Sequence, residues 1–298
     1  DEIHMHRPIL SKRPTEIFGC PYIDDSVELK NEIRQQYCPF IKGTCVKPRK
    51  SEPQIKVGIC TIGYKGDFLQ EYDPVIICPQ RFKESVMFDT IRKKYLSRWT
   101  NIEWIQEVNI GVGGSVDYVA ITRDKNAKIT DFFCVELQAA GTTGSPYPAI
   151  TDIRETGKFQ RASYNFGINW ANEFSKTMMQ QAYKKGKIIN HWGRKIVFIL
   201  QDCGLKYMKT ACDTSRLQSS NAKMPIDFCT FSLAWDSSQD IWKLCFVGIE
   251  STDIEGINLM LGGATVEEYL TEDEFIQNII KKGIADDVLN KNDYLEYF

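Results

Sequence analysis

The chain has 298 residues, 43% of them hydrophobic and 26% charged, and a net charge of −2. That length and composition suit one large globular domain or two modest ones and exclude an intrinsically disordered chain. The longest purely aliphatic and aromatic run is residues 196–200, far short of the roughly 20 apolar residues that cross a bilayer, so no membrane partner is expected.

The N-terminal residues 1–10 carry charge and two histidines but no apolar run, so no secretory signal is expected there. The charge along the chain is uneven. Residues 250–298 hold twelve acidic and three basic side chains, a net of −9, which leaves +7 on the residues before them. A basic body is compatible with a nucleic-acid partner without establishing one.

Residues 20–81 are rich in Cys, Gly, Pro and Lys and read as an irregular unit. Within it, Asp25-x-x-Glu28 is a capping box that opens a short helix ending near Tyr37. Residues 81–96 read as a helix, with Phe82, Val86, Ile91 and Tyr95 near helical spacing, and residues 101–109 look helical as well. β-Branched and aromatic residues mark strands over 116–122 and 129–138, joined by a polar turn at 123–128. A Gly/Thr/Pro loop over 139–148 leads to a crossover helix at about 158–185, where Phe159, Ala162, Phe166, Trp170, Phe174, Met178 and Ala182 recur every three or four residues. A buried strand at 195–201 follows. Residues 228–235 and 242–249 read as a second hairpin, and Thr265-x-x-Glu268 and Thr271-x-x-Glu274 cap C-terminal helices. The whole reads as a mixed α/β chain.

Two side-chain constellations carry chemistry. The first joins Gly113-Gly114-Ser115-Val116-Asp117 to Glu136-Leu137-Gln138. Glu136 and Gln138 share one face of their strand. A charge on such an apolar strand is costly unless it is paired or holds a metal. Hairpin geometry places Asp117 beside Glu136, and two carboxylates there would suit Mg²⁺, which activates water and stabilises phosphate charge during hydrolysis. The bland alternative makes Asp117 a turn cap and Glu136 a solvent-facing residue, and the Asp…Glu-x-Gln spacing taken alone is weak. For a third acid, Glu103 and Glu107 are available, and Glu107 is preferred because it lies closer to Asp117.

The second constellation is Cys38, Cys45, Cys60 and Cys78, four of ten cysteines. Without a secretory signal, a disulfide framework is the weaker reading. Cys38 and Cys78 each precede a proline, which fixes the turn, and Gly43, Gly58 and Gly63 lie near the others. Four thiolates suit zinc or a single iron. Four buried, inert cysteines are the alternative, because no pair has a C-x₂-C spacing.

Together these residues resemble the NotI family of type II restriction endonucleases. The resemblance rests on Tyr37-Cys38-Pro39-Phe40, Cys45-Val46-Lys47, Gly58-Ile59-Cys60 and Ile77-Cys78-Pro79-Gln80-Arg81, then on Val116-Asp117-Tyr118, Val135-Glu136-Leu137-Gln138 and Thr142-Thr143-Gly144-Ser145. It runs roughly from Phe18 to Asp202. It implies a PD-(D/E)XK core, a mixed sheet flanked by helices, at residues 83–298, behind an N-terminal four-cysteine iron unit at residues 1–82. It implies that Cys38, Cys45, Cys60 and Cys78 hold the structural iron (or zinc) and that Asp117 and Glu136 hold catalytic Mg²⁺. Gln138 stands where the wider superfamily has lysine; a neutral amide orients water but cannot act as a base. The acid before Asp117 matches the family poorly, which bears on Glu107.

The resemblance further implies sequence-specific double-strand cleavage of palindromic DNA by a homodimer in a prokaryotic cytoplasm. Phosphate contacts would come from Lys47-Pro48-Arg49-Lys50, Arg92-Lys93-Lys94 or Lys184-Lys185-Gly186-Lys187, each of which could equally be a solvated surface; Arg194 and His191 are candidates for reading bases. The competing readings are an iron or zinc redox or DNA-sensing metalloprotein without nuclease activity, and a DNA-binding module without cleavage.

Overall fold

Runs of β-branched and aromatic residues build one seven-stranded mixed sheet in the middle of the chain. The computed structural model describes residues 7–22, 34–49, 52–66, 68–159 and 166–262, together with Gln277. Residues up to Gly262 cluster as one compact unit; a second unit, Gly263–Phe298, lies outside the described residues apart from Gln277. The capping boxes at Asp25, Thr265 and Thr271 also fall outside them.

The N-terminal part is made of short strands. β1 (Pro14–Ile17), β2 (Cys20–Pro21), β7 (Ile59–Tyr64) and β8 (Asp73–Ile76) form a four-stranded sheet in the order β2-β1-β7-β8. Two ribbons lie between them in sequence, β3 (Tyr37–Cys38) with β4 (Gly43–Thr44) and β5 (Pro48–Arg49) with β6 (Glu52–Lys56). Hydrogen bonds stitch this part to the rest. The Ile76 N–H donates to Gln201 Oε1 at 2.7 Å, Gln201 Nε2 donates to the Pro74 carbonyl at 2.7 Å, and the Ala140 N–H donates to the Ile76 carbonyl at 2.9 Å.

Helix α1 (Ser85–Tyr95) comes next, close to the helix expected over 81–96. A three-strand meander follows: β9 (Glu103–Asn109), β10 (Ser115–Arg123) and β11 (Ile129–Gln138), paired antiparallel. β12 (Thr142–Thr143), α2 (Tyr147–Thr156) and β13 (Gly167–Ile168) lead to a π-helical stretch, Ala171–Met178, continuous with α3 (Met179–His191). β14 (Ile196–Gln201) then pairs parallel with β11. After α4 (Asp202–Ala211) and β15 (Gln218–Ser219), β16 (Ile226–Asp236) pairs parallel with β14 and antiparallel with β17 (Ile241–Thr252), and α5 (Ile254–Met260) closes the described part. The strand order is β15-β17-β16-β14-β11-β10-β9.

β14 explains the architecture. Ile196, Phe198 and Leu200 join the core that also holds Met178, Met179, Ala182 and Ile189, while Val197 and Ile199 join Phe82, Met87 and Ile91 on the α1 side. A strand buried on both faces must be apolar throughout, which is why it reads as a continuous run. β14 is an interior strand, paired with β11 on one side and β16 on the other.

Two expectations are corrected. Residues 101–109 are not a helix: they form the edge strand β9, whose backbone pairs with β10 from Ser115–Asn109 to Ile121–Glu103. The crossover is not one helix over 158–185. Gly157, at φ +77, ends α2, residues 160–165 lie outside the described residues, and Phe166, Ile168 and Trp170 are buried at alternate positions as in a strand. Helical spacing resumes only at Phe174, Met178 and Ala182. Both errors have one cause: a few apolar residues fit either period, and the neighbouring strand decides. Among the described residues no helix is long and apolar enough to cross a membrane.

Candidate active site

β10 and β11 carry the acids. Their register pairs Tyr118 with Val135, and one further step sets Asp117 opposite Glu136. The Leu137 N–H donates to Asp117 Oδ2 at 2.8 Å, which fixes that carboxylate at the end of the ladder. Glu136 is 4% exposed and Asp117 is half-buried. Burial, and then the neighbouring Asp117, push the Glu136 carboxyl up to about 7. Two acids in a partly dry site repel one another, so a cation placed between them is strongly favoured.

A cation is already present. Lys185, on α3, is 5% exposed, and its Nζ donates to Glu136 Oε1 at 2.7 Å, to the Ser115 carbonyl at 2.7 Å and to Gln181 Oε1 at 3.3 Å. The reading of residues 184–187 as a phosphate-binding surface cluster therefore does not hold for Lys185. Its signal was legible: Lys185 interrupts the apolar stripe of Met178, Ala182 and Ile189 at a core position, where a charge demands a partner. Lys184 is exposed, and Lys187 packs 5.6 Å from the Tyr183 ring.

Gln138 is on the same face as Glu136 and donates from Nε2 to the Ala139 carbonyl at 2.9 Å. It lines a cleft of about 580 Å³ together with Lys47, Gly141, Glu173, Thr177 and Gln181. Glu173, Thr177, Gln181 and Lys185 are each four residues apart, so the helical segment presents one polar stripe towards the strand ends. Glu107 falls opposite Asp117 in the β9–β10 register, between the Val116–Val108 and Tyr118–Gln106 pairs. It is exposed, with φ +54. Glu103 instead accepts from Arg123 Nε at 2.9 Å at the surface.

The other basic candidates are placed elsewhere. Lys47 donates to the Ile77 carbonyl at 2.7 Å. Arg92, Lys93 and Lys94 are exposed in the last turn of α1, where they complement the helix dipole. Arg194 pairs with Asp131 and packs over Phe132, and His191 is exposed at the end of α3.

Cys38, Cys45, Cys60 and Cys78 are free, buried and gathered around one cavity of about 10 Å³, with Phe18, Gly58 and Ile59. The Cys-Pro turns explain the donor pattern. After Cys38, the N–H groups of Phe40 and Ile41 point at its sulfur; after Cys78, those of Gln80 and Arg81 do the same; and the Gly19 N–H points at Cys60. Gly58, at φ +69, leaves no room for a Cβ, which would lie 2.1 Å from the Phe18 ring. Burial pushes the Cys38, Cys60 and Cys78 thiols up, so they ionise only if a cation is supplied. Soft sulfurs, inward backbone donors and a space the size of one ion fit a four-thiolate metal. Among the described residues no three His, Cys, Asp or Glu side chains already converge as metal ligands; the sulfurs line the space without closing on a common centre.

No curated protein matches the chain. The family model described as "Restriction endonuclease NotI" matches residues 26–236, a span that holds all four cysteines of the N-terminal constellation, both hairpin acids, Lys185 and all of β16. That span is well over half of the 298 residues, and the chain belongs to the NotI restriction endonuclease family.

Proposed function

We propose that this chain is a type II restriction endonuclease that hydrolyses phosphodiesters in duplex DNA at Asp117 and Glu136. The observation that carries the reading is the pairing of those two carboxylates across β10 and β11, with Glu136 directly preceding Leu137 and Gln138, which line an open cleft. The element order supports a PD-(D/E)XK core within residues 83–298: α1, the meander β9-β10-β11, the crossover helix α3 and the parallel strand β14.

Mg²⁺, when bound by Asp117 and Glu136, polarises the scissile phosphate and makes a water more acidic. The protein's own groups do the rest. Asp117 is oriented by the Leu137 N–H, and Glu136 by Lys185. Gln138 orients the attacking water from the cleft wall; its amide takes no proton at neutral pH. Glu107 is the third acid, reaching the site from the neighbouring edge strand. Residues 1–82 brace this domain, with Cys38, Cys45, Cys60 and Cys78 holding an iron or zinc that is structural rather than catalytic. The enzyme acts in a prokaryotic cytoplasm as a homodimer, because a two-fold protein cuts both strands of a palindrome alike.

Incubation of the purified protein with a whole bacterial genome, with Mg²⁺ and with EDTA, tests the reading. Discrete fragments that form only with Mg²⁺ support it, and their ends give the recognition sequence. Intact DNA at every Mg²⁺ level overturns it.

A further inference from the structure

The strand motif leaves one need of the site unmet. Asp117 and Glu136 bring two negative charges to the place where a DNA phosphate must also come, and the residue two positions after Glu136 on the same face, Gln138, is neutral. Its amide is turned to the Ala139 carbonyl. The fixed positive charge comes instead from the opposite layer. Lys185 reaches down from α3, and its three ammonium protons meet three acceptors: Glu136 Oε1, the Ser115 carbonyl and Gln181 Oε1. Gly186 allows that depth, since a Cβ there would lie 2.5 Å from Ile226 Cδ1. The helix thus presses on β16 and delivers its lysine to the end of β11.

Packing does not explain a lysine at this position. Met178, Met179, Ala182 and Ile189 fill the same helix face, and an apolar side chain in place of a buried ion pair is commonly neutral or stabilising. Charge balance does explain it. Asp117, Glu136 and the third acid, Glu107, carry −3; a divalent ion and a phosphodiester anion leave −2, and a fixed ammonium lowers that excess to −1.

We propose that Lys185 is the positioning cation of this active site: from α3 it supplies the fixed charge that Gln138 cannot, holding Glu136 by one oxygen so that the acid meets a divalent ion beside Asp117. The proposal rests on the nuclease reading above. Lys185 acts through Glu136 and orders the metal-binding acid before substrate arrives. Gln181, which accepts from the same ammonium, links that order to the cleft where Gln138 lies.

The test compares the full-length wild type with Lys185→Met, Lys185→Arg and the double variant Lys185→Met/Gln138→Lys. Four quantities are measured: the cleavage rate at saturating DNA and Mg²⁺, DNA affinity with Ca²⁺ in place of Mg²⁺, Mn²⁺ binding to the DNA-free protein, and the melting temperature. Lys185→Met is expected to lower the cleavage rate about 100-fold, with DNA affinity changed by less than about threefold, so that the loss falls on turnover rather than binding. Mn²⁺ binding should be no weaker, because a repelling cation has gone. Lys185→Arg should fall between the two. A lysine restored on the strand in the double variant should regain about tenfold.

Cleavage by Lys185→Met within about threefold of wild type overturns the proposal, since the lysine then merely fills the space a metal takes. Joint loss of Mn²⁺ binding, DNA binding and cleavage, with no recovery in the double variant, overturns it in favour of a role in folding alone. A wild type that cuts no DNA defeats the nuclease reading and this inference together; an active wild type with an indifferent Lys185→Met defeats this inference only.

Discussion

Asp227 on β16 and Glu136 on β11 are both buried carboxylates paired to a lysine, and their surroundings differ. Asp227 is fully buried and accepts from Tyr95 Oη at 2.9 Å, Lys195 Nζ at 2.6 Å and Ser251 Oγ at 2.7 Å. Those donors come from α1, the residue before β14, and β17, so the cluster ties a helix to the far side of the sheet. Burial and the adjacent Asp227 push the Tyr95 phenol well up, which keeps it a donor. Glu136 has a lysine too, but beside it stands a second acid, Asp117, whose other oxygen, Oδ1, accepts no hydrogen bond among the described residues. The first acid is satisfied by the protein; the second pair is left with acceptor capacity and excess negative charge. Burial alone does not mark a functional acid. An incompletely compensated pair is what makes a functional-site candidate.

The sharpest way to break this comparison is to remove the Asp117–Glu136 pair. Asp117→Ala or Glu136→Ala should lower cleavage by about a thousandfold or more, the several kcal/mol that a bound divalent ion contributes to the transition state. DNA binding measured with Ca²⁺ should persist, and normal cleavage by either variant would remove the site from the carboxylate pair.

Asp227→Ala addresses the other side. It strands Lys195 and Tyr95 and should destabilise folding by about 3–5 kcal/mol, read by urea denaturation, with cleavage per folded molecule unchanged. A variant that stays stable but loses activity would mean that the two clusters had been assigned the wrong way round.

The pH response should differ as well. The folded Glu136 carboxyl titrates at about 7 against an ordinary value of 4.5. The native state therefore binds more protons than the unfolded chain between those values, and stability falls as pH rises from 4.5 through 7. Metal-free protein should show that component of the slope, and Glu136→Gln should remove it. An unchanged slope in the variant would assign the titration elsewhere.

Cys38→Ser should abolish bound iron or zinc by elemental analysis and lower the melting temperature, because metal affinity at such a site is folding free energy. Equal metal in variant and wild type would dismiss the four-thiolate site. The smallest effect belongs to Lys184→Ala. Its exposed ammonium lines a groove with Gly113, Gly114 and Ser115, and its loss should weaken DNA binding uniformly and reduce the salt slope by about 1. A shift in sequence preference instead would make Lys184 a base-reading residue.

Much of this is legible in the sequence. The β10–β11 hairpin is readable because its strands alternate and its turn is polar, and Asp124 accepts from the Asn126 and Lys128 N–H groups in that turn. β14 is readable because a strand covered on both faces must be continuously apolar. The second hairpin, β16 with β17, is readable for the same reasons of alternation and turn. The Cys-Pro turns are readable because proline dictates its own φ. Local chemistry suffices in each of these cases, and no distant partner is consulted.

Other features depended on neighbours far along the chain. β9 is a strand because β10 offers it donors and acceptors, although Glu103–Asn109 carries too few apolar residues to choose a period. The break between α2 and α3 depends on β13 pairing with Thr142 and Thr143. The depth at which α3 lies against β16, permitted by Gly186, brings Lys185 to Glu136 across 49 residues of sequence. Asp117 and Glu136 are visible as residue types and as hairpin partners from the sequence by itself. That Glu136 is buried, paired to a helix lysine and titrates near 7 was decided only by tertiary structure, because desolvation and Coulomb interaction depend on what surrounds a charge in space and not on its neighbours in the chain.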